Sequence, residues 1–164
     1  MRRLKVLLAE DDDDLRALYG YMLLTAGYKV SAVRNGLEAL AEIQVNRPDV
    51  VVTDITMPVL SGLDLIVAVG ADDELADLPV VAITSFGEGL CKLARAAGAT
   101  DAIDKPTDII RMREVIDAAV SRPSSARLRL NGGPLSELSD KKHTTGATAG
   151  PATIPPRASN WTSE

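Results

Sequence analysis

Apolar runs of strand length alternate five times with segments of helical spacing along the first 121 residues, and no other feature restricts the fold as much. The strong runs are LKVLLA at 4 to 9, VVVTD at 50 to 54 and VVAIT at 80 to 84; weaker ones are YKVSAV at 28 to 33 and TDAID at 100 to 104. Near-continuous apolar runs belong to strands covered on both faces. Between them, apolar residues recur at helical intervals: Leu15, Leu18, Met22 and Leu23; Leu37, Leu40 and Ile43; Leu63, Ile66 and Val67; Leu90, Leu93 and Ala97; Ile109, Met112, Ile116 and Val120. Turn residues mark the junctions, with Gly27 closing the first helix, Asn35-Gly36 preceding the second, Pro48 preceding the third strand and Gly98 ending the fourth helix. Crossovers between parallel strands are right-handed, so the expected fold is α/β, a doubly wound (βα)5 chain around an open five-stranded parallel sheet. In such sheets ligands bind at the carboxyl ends of the strands.

This unit spans residues 3 to 121, and the composition then changes. Residues 122 to 164 hold 5 of the 9 prolines, are rich in Ser, Thr, Gly and Ala, and show no sustained period. Such a tail buries too little surface to offset its ordering entropy and is expected to stay disordered. Its pieces ARLRL and PLSELSD are expected to give at most a transient helical turn or a short docking segment.

Charge divides the same way: residues 1 to 120 carry 12 basic and 20 acidic side chains, residues 121 to 164 carry 6 and 3. So acidic a body repels phosphate backbones, which argues against nucleic-acid binding by the body and favours cations as ligands. No stretch approaches the roughly 20 apolar residues that cross a bilayer. The start, MRRLKVLLAEDD, runs into acids instead of a signal-peptide cleavage site, so the expected location is the cytoplasm, without membrane contact. The single cysteine, Cys91, forms neither an internal disulfide nor a cysteine zinc cluster and reads as a small helix residue.

Polar residues gather where the strands end. The first strand runs into Glu10 and Asp11, the third ends in Asp54, the fourth in Thr84, and the fifth leads to Lys105-Pro106. Three carboxylates close together repel by about 1 to 4 kcal/mol per pair at surface-like dielectric, so all stay ionised only beside a cation. Magnesium, which takes one or two carboxylates plus phosphate oxygens and keeps several waters, suits an open acid cluster. Lys105 and the Thr84 hydroxyl add donors for phosphoryl oxygens. Acids, magnesium, ammonium and hydroxyl together describe a site that holds a phosphoryl group in transfer, with an aspartate as nucleophile.

Over roughly residues 3 to 121 the chain resembles the receiver domain of two-component response regulators. The acid pair with an apolar-basic pair downstream is Glu10-Asp11 with Leu15-Arg16; the D-x-x-M-P-x-x-x-G motif runs from Asp54 through Met57-Pro58 to Gly62; Thr84 and Lys105-Pro106 complete the order. The resemblance implies a flavodoxin-like sheet of order 2-1-3-4-5. It makes Asp54 the acceptor of a phosphoryl group from a phosphohistidine on a histidine kinase or a histidine phosphotransfer protein. Asp11, Asp54 and the main-chain carbonyl of Thr56 would ligate magnesium, with Glu10 on a metal-bound water, while Thr84 and Lys105 would grip phosphoryl oxygens. Asp12, Asp13 and Asp14 are then left to cap and charge the first helix, and Asp101 and Asp104 are expected to be solvated.

Other chemistries fit less well. A calcium loop counted from Asp11 places Arg16 and Met22 where glycine and glutamate belong, and GEGLCK has Lys92 in place of the third glycine of a dinucleotide turn. Aspartate-nucleophile phosphatases of the haloacid dehalogenase class resemble D-x-D-x-T, whereas Thr56 stands two residues after Asp54. The sole histidine, His143, lies in the tail. The expectation is therefore a switch and not an enzyme: a single-domain response regulator signalling through the face of the fourth helix, fifth strand and fifth helix. A receiver-like docking module that works without phosphorylation, and the receiver part of an unusual multidomain regulator, are the alternatives. One departure bears on the switch, because Ala102 occupies the position where the family usually carries Tyr or Phe. The segment Ser85 to Gly89, with Phe86 and two glycines, is the expected mobile loop.

Overall fold

A computed structural model describes residues 2–122. Five strands alternate with five helices: β1 (Lys5–Ala9), α1 (Asp13–Thr25), β2 (Lys29–Val33), α2 (Gly36–Val45), β3 (Val50–Asp54), α3 (Gly62–Ala71), β4 (Val80–Thr84), α4 (Gly87–Ala97), β5 (Asp101–Asp104) and α5 (Ile109–Ser121). The sheet is parallel with order β2-β1-β3-β4-β5, as the alternation and the resemblance require. The expected tail at 122 to 164 lies, past Arg122, outside the described residues.

The central strands β3 and β4 are buried at every residue, and β1 at all but Lys5. The weaker runs form the sheet edges, where β2 exposes Lys29, Ser31 and Ala32. Successive side chains of a strand point to opposite faces. Val6, Leu8, Val50, Val52, Val81, Ile83 and Ile103 accordingly pack with Tyr19 and Leu23 of α1 and Met112 and Ile116 of α5. Leu7, Ala9, Val51, Val80, Ala82 and Ala102 pack on the other face with Ile43 of α2, Leu65 and Ile66 of α3 and Ala94 of α4.

Local chemistry sets the helix ends. Asp12 caps α1 by accepting the Leu15 N–H at 2.9 Å, Asn35 caps α2 through the Glu38 N–H, and Ser61 with Asp64 forms a reciprocal capping box on α3. Gly98 ends α4 in the left-handed region at φ 117°, where a Cβ is disfavoured. The expected loop from Ser85 to Gly89 is shorter than its glycines indicate: α4 begins at Gly87, so Gly89 lies in its first turn. Cys91 is a buried, unpaired residue of α4. Among the described residues no helix is long and apolar enough to cross a membrane.

Candidate functional site

Strand parity explains which side chains meet. Glu10 continues the face of Val6 and Leu8, Asp54 that of Val50 and Val52, and Lys105 that of Ile103, so all three project toward the α1/α5 side. Lys105 sits beyond β5 and Asp54 on β3, two strand spacings or about 10 Å apart, a gap that a long side chain bridges. The ammonium lies 2.8 Å from Asp54 Oδ1 and 2.7 Å from Glu10 Oε2. Its other neighbour is the Tyr19 ring, whose centroid is 5.9 Å away.

Asp11 completes the acid group: it offers a carboxylate oxygen within 4.8 Å of those of Glu10 and Asp54. Glu10 and Asp54 are buried and Asp11 is exposed, so the cluster opens to solvent on one side. At that separation each pair repels by roughly 3 kcal/mol at an effective dielectric of about 20. One ammonium against three carboxylates leaves an excess of two negative charges. Hard oxygen donors with that excess fit a divalent ion such as magnesium, and Glu10, Asp11 and Asp54 are the side chains that would hold it.

The remaining residues take separate places. Thr56 donates its backbone N–H to Asp54 Oδ2 at 2.8 Å, which fixes the carboxylate that its neighbours on β1 and β5 face. Thr84 is fully buried and follows the opposite parity, the face of Val80 and Ala82. Its Oγ1 accepts the Phe86 N–H at 3.2 Å, so it bonds to the approach of α4 while Lys105 bonds to the acids. The Lys105–Pro106 peptide is cis.

Within the acidic run, Glu10 and Asp11 join the cluster, Asp12 is the cap, Asp13 pairs with Arg16, and Asp14 lies in the first turn. Arg16 does more than its motif position indicates: its guanidinium donates to the carbonyls of Glu10 at 3.0 Å and Asp11 at 3.4 Å, pinning the turn that presents both acids. One expectation needs correction: Asp101 is not merely solvated, since it pairs with Arg95 at 3.2 Å, while Asp104 is exposed as expected and also accepts the Gly87 N–H at 3.0 Å. Both serve the start and flank of α4, because β5 places them beside it, and only the sheet order reveals this.

Burial pushes the Glu10 carboxyl above the usual glutamate value, against the pull of its hydrogen bond to Lys105. Burial by itself would depress the Lys105 ammonium, but hydrogen bonds to Asp54 and Glu10 outweigh it and hold the group above the ordinary lysine value. The stability contributed by protonated Lys105 is therefore complete below the ordinary lysine pKa and is lost as pH rises through the higher folded value. Glu10 works in the same sense with pH, since its raised carboxyl also costs stability as pH rises from the ordinary glutamate value through the raised one.

Ala102 is buried and carries no side chain that can rotate. Its carbonyl instead accepts a hydrogen bond from Arg95 of α4 at 2.6 Å, and Arg95 also reaches Glu88 at 3.2 Å. An arginine on the helix thus ties α4 to β5 at the position where the family usually places a ring.

Comparison with known proteins gives a consistent answer. Residues 6–117 match the family described as the response regulator receiver domain. The polar-differentiation response regulator DivK of Brucella anthropi is 36% identical over 112 residues, covering 68% of this chain and 91% of that protein. DivK of Brucella ovis is 33% identical over the same coverage. The chemotaxis response regulator CheY4 of Vibrio cholerae superposes with a TM-score of 0.66 at 29% identity, covering 72% of this chain and 99% of that one. The receiver domain of the Pseudomonas aeruginosa PAO1 sensor histidine kinase PA1611, solved with a magnesium ion in its active-site cleft, shares the fold with a TM-score of 0.69 at 23% identity, covering 74% and 100%. In sequence, strand order and chain coverage alike, this protein belongs to the response regulator receiver domain family of two-component signalling.

Proposed function

We propose that Asp54 is the phosphoacceptor of a Mg²⁺-dependent phosphotransfer reaction. Receiver domains take phosphoryl groups from histidine kinases or histidine phosphotransfer proteins, and the pairing of a buried Asp54 with Lys105 at 2.8 Å beside two further acids carries the reading for this chain. A carboxylate oxygen of Asp54 attacks phosphorus, the P–N bond of the phosphohistidine breaks, and its electron pair returns to the imidazole. Magnesium, when bound, neutralises charge on the transferring group. Lys105 supplies an ammonium at the same point, and the Thr56 N–H orients Asp54 for attack. The protein accepts and holds the group as a switch; it is not an enzyme releasing product. The site predicts a gain of one phosphoryl group, read by intact mass, on incubation with magnesium and a small-molecule phosphodonor. EDTA and Asp54→Asn should each abolish it, and an unchanged mass in the wild-type protein would instead support docking without phosphorylation.

The signal is proposed to leave through α4, β5 and α5 to a protein partner. A phosphoryl oxygen on Asp54 offers the Thr84 hydroxyl a new partner, and moving toward it means giving up the Phe86 N–H at 3.2 Å. With Ala102 unable to rotate, Phe86 and the first turn of α4 carry the change, and the Arg95 tie limits how far it spreads into β5. Beryllofluoride, as a phosphoryl mimic, should therefore alter amide exchange at residues 85 to 90 by several-fold. An unchanged segment 85 to 90 together with a strong response in β5 and α5 would show that the signal travels elsewhere.

A further inference from the structure

At the opposite end of the sheet from the acid cluster, a groove of about 340 Å³ lies among the C-terminal parts of α3 and α5 and the starts of β4 and β5. Its lining includes the largely buried apolar side chains of Ile66, Val69, Leu78 and Ala99 together with Asp77 and Arg122. The groove is acidic on one side. Asp77 ends a loop that also carries Asp72, Asp73 and Glu74, and among the described residues no basic side chain pairs with any of these four carboxylates.

Arg122 both lines the groove and ends α5, with an extended backbone at φ −67° and ψ 131°. Its guanidinium lies 3.9 Å from Asp101, which holds the point of departure at the groove mouth. Four residues further along stands ARLRL, residues 126 to 130, in which Arg127 and Arg129 alternate with Ala126, Leu128 and Leu130. An extended chain puts the apolar members on one side and the arginines on the other. Six residues from Arg122 to Leu128 span up to about 20 Å, enough to lay Leu128 over the groove. A segment tethered this closely has an effective concentration on the order of millimolar, so even a weak docking interaction is populated.

We propose that residues 126–130 of this chain dock into this groove, with Leu128 and Leu130 on its apolar lining and Arg127 and Arg129 against the acidic loop Asp72–Asp77. The site is an intramolecular one, on the face remote from Asp54, and it does not depend on phosphorylation.

Hydrogen exchange on the full chain tests it. In the wild-type protein, amides of residues 70 to 77 should exchange at least fivefold more slowly than in R127E/R129E at about 50 mM salt. The difference should collapse near 1 M salt, where the screening length falls to about 3 Å. Charge reversal on the other side, D73K/D77K, should lose the same protection, and the combined four-site variant should regain much of it. Equal exchange in wild type and R127E/R129E overturns the proposal. Protection that grows with protein concentration also overturns it, because the occupant is then the segment of a second copy.

Discussion

Gly62→Ala should destabilise the protein by about 3 kcal/mol or more, among the larger effects a single methyl group produces. A Cβ built at Gly62 lies 2.0 Å from the carbonyl oxygen of Asp54 and 2.9 Å from Ile55 Cα, and all of the crowded atoms are backbone. No side chain can swing aside. The Gly62 N–H also donates to the Ile55 carbonyl at 2.9 Å, so relief of the clash would break the bond that closes the turn between β3 and α3. Because the displaced atoms belong to Asp54 itself, phosphorylation should fall along with stability. Gly20→Ala provides the contrast: Gly20 is inside α1 with nothing within 4 Å of its built Cβ, and alanine there should stabilise by up to about 1 kcal/mol. Urea denaturation followed by circular dichroism measures both, and an unchanged midpoint for Gly62→Ala would contradict the packing described for the β3 turn.

Lys105→Met should separate two roles of one ammonium. It removes the only cation that, among the described residues, is paired with the side-chain carboxylates of Glu10 and Asp54, leaving two buried carboxylates beside Asp11. Breaking a buried pair by deleting one partner costs about 3 to 5 kcal/mol, which uptake of a proton by one carboxyl reduces. Without magnesium the variant should therefore be markedly less stable than wild type and gain stability as pH falls. Saturating magnesium should restore much of the loss, because a divalent ion replaces the missing positive charge. Magnesium affinity near pH 8 should rise about tenfold, since the ammonium no longer repels the ion. Phosphorylation by a small-molecule donor should nonetheless slow by about 10²-fold, as expected when a donor to the transferring group is lost. Weaker magnesium binding in Lys105→Met would place the lysine's influence somewhere other than the acid cluster.

The two variants show how differently residues of one motif become legible. Sequence alone marked Gly62 by its spacing from Asp54, without any indication that the glycine is needed because a carbonyl passes 2.0 Å from its missing Cβ. Lys105 was recognisable at the strand end, but its bond to Glu10, 95 positions away, depends on sheet order and strand parity acting together. The roles of Asp101, Asp104 and Arg95 were not legible because each joins β5 to α4 across the packed faces of two elements.

What the sequence determined by itself is what local periodicity and turn chemistry control: five strands and five helices, the acidic cap of α1 and the Asn35-Gly36 start of α2, the buried centre and weaker edges of the sheet, and the set of polar residues at strand ends. What only the tertiary structure decided is which of those polar groups share a point in space. Alternation sends Glu10, Asp54 and Lys105 to one face and Thr84 to the other, and parallel order brings β1 beside β3 and leaves Lys105 to reach across β4. Side-chain direction is a local property, readable in sequence once a strand is placed; proximity between strands is not local, because it depends on the order in which the whole sheet closes, and here only the family resemblance anticipated that order.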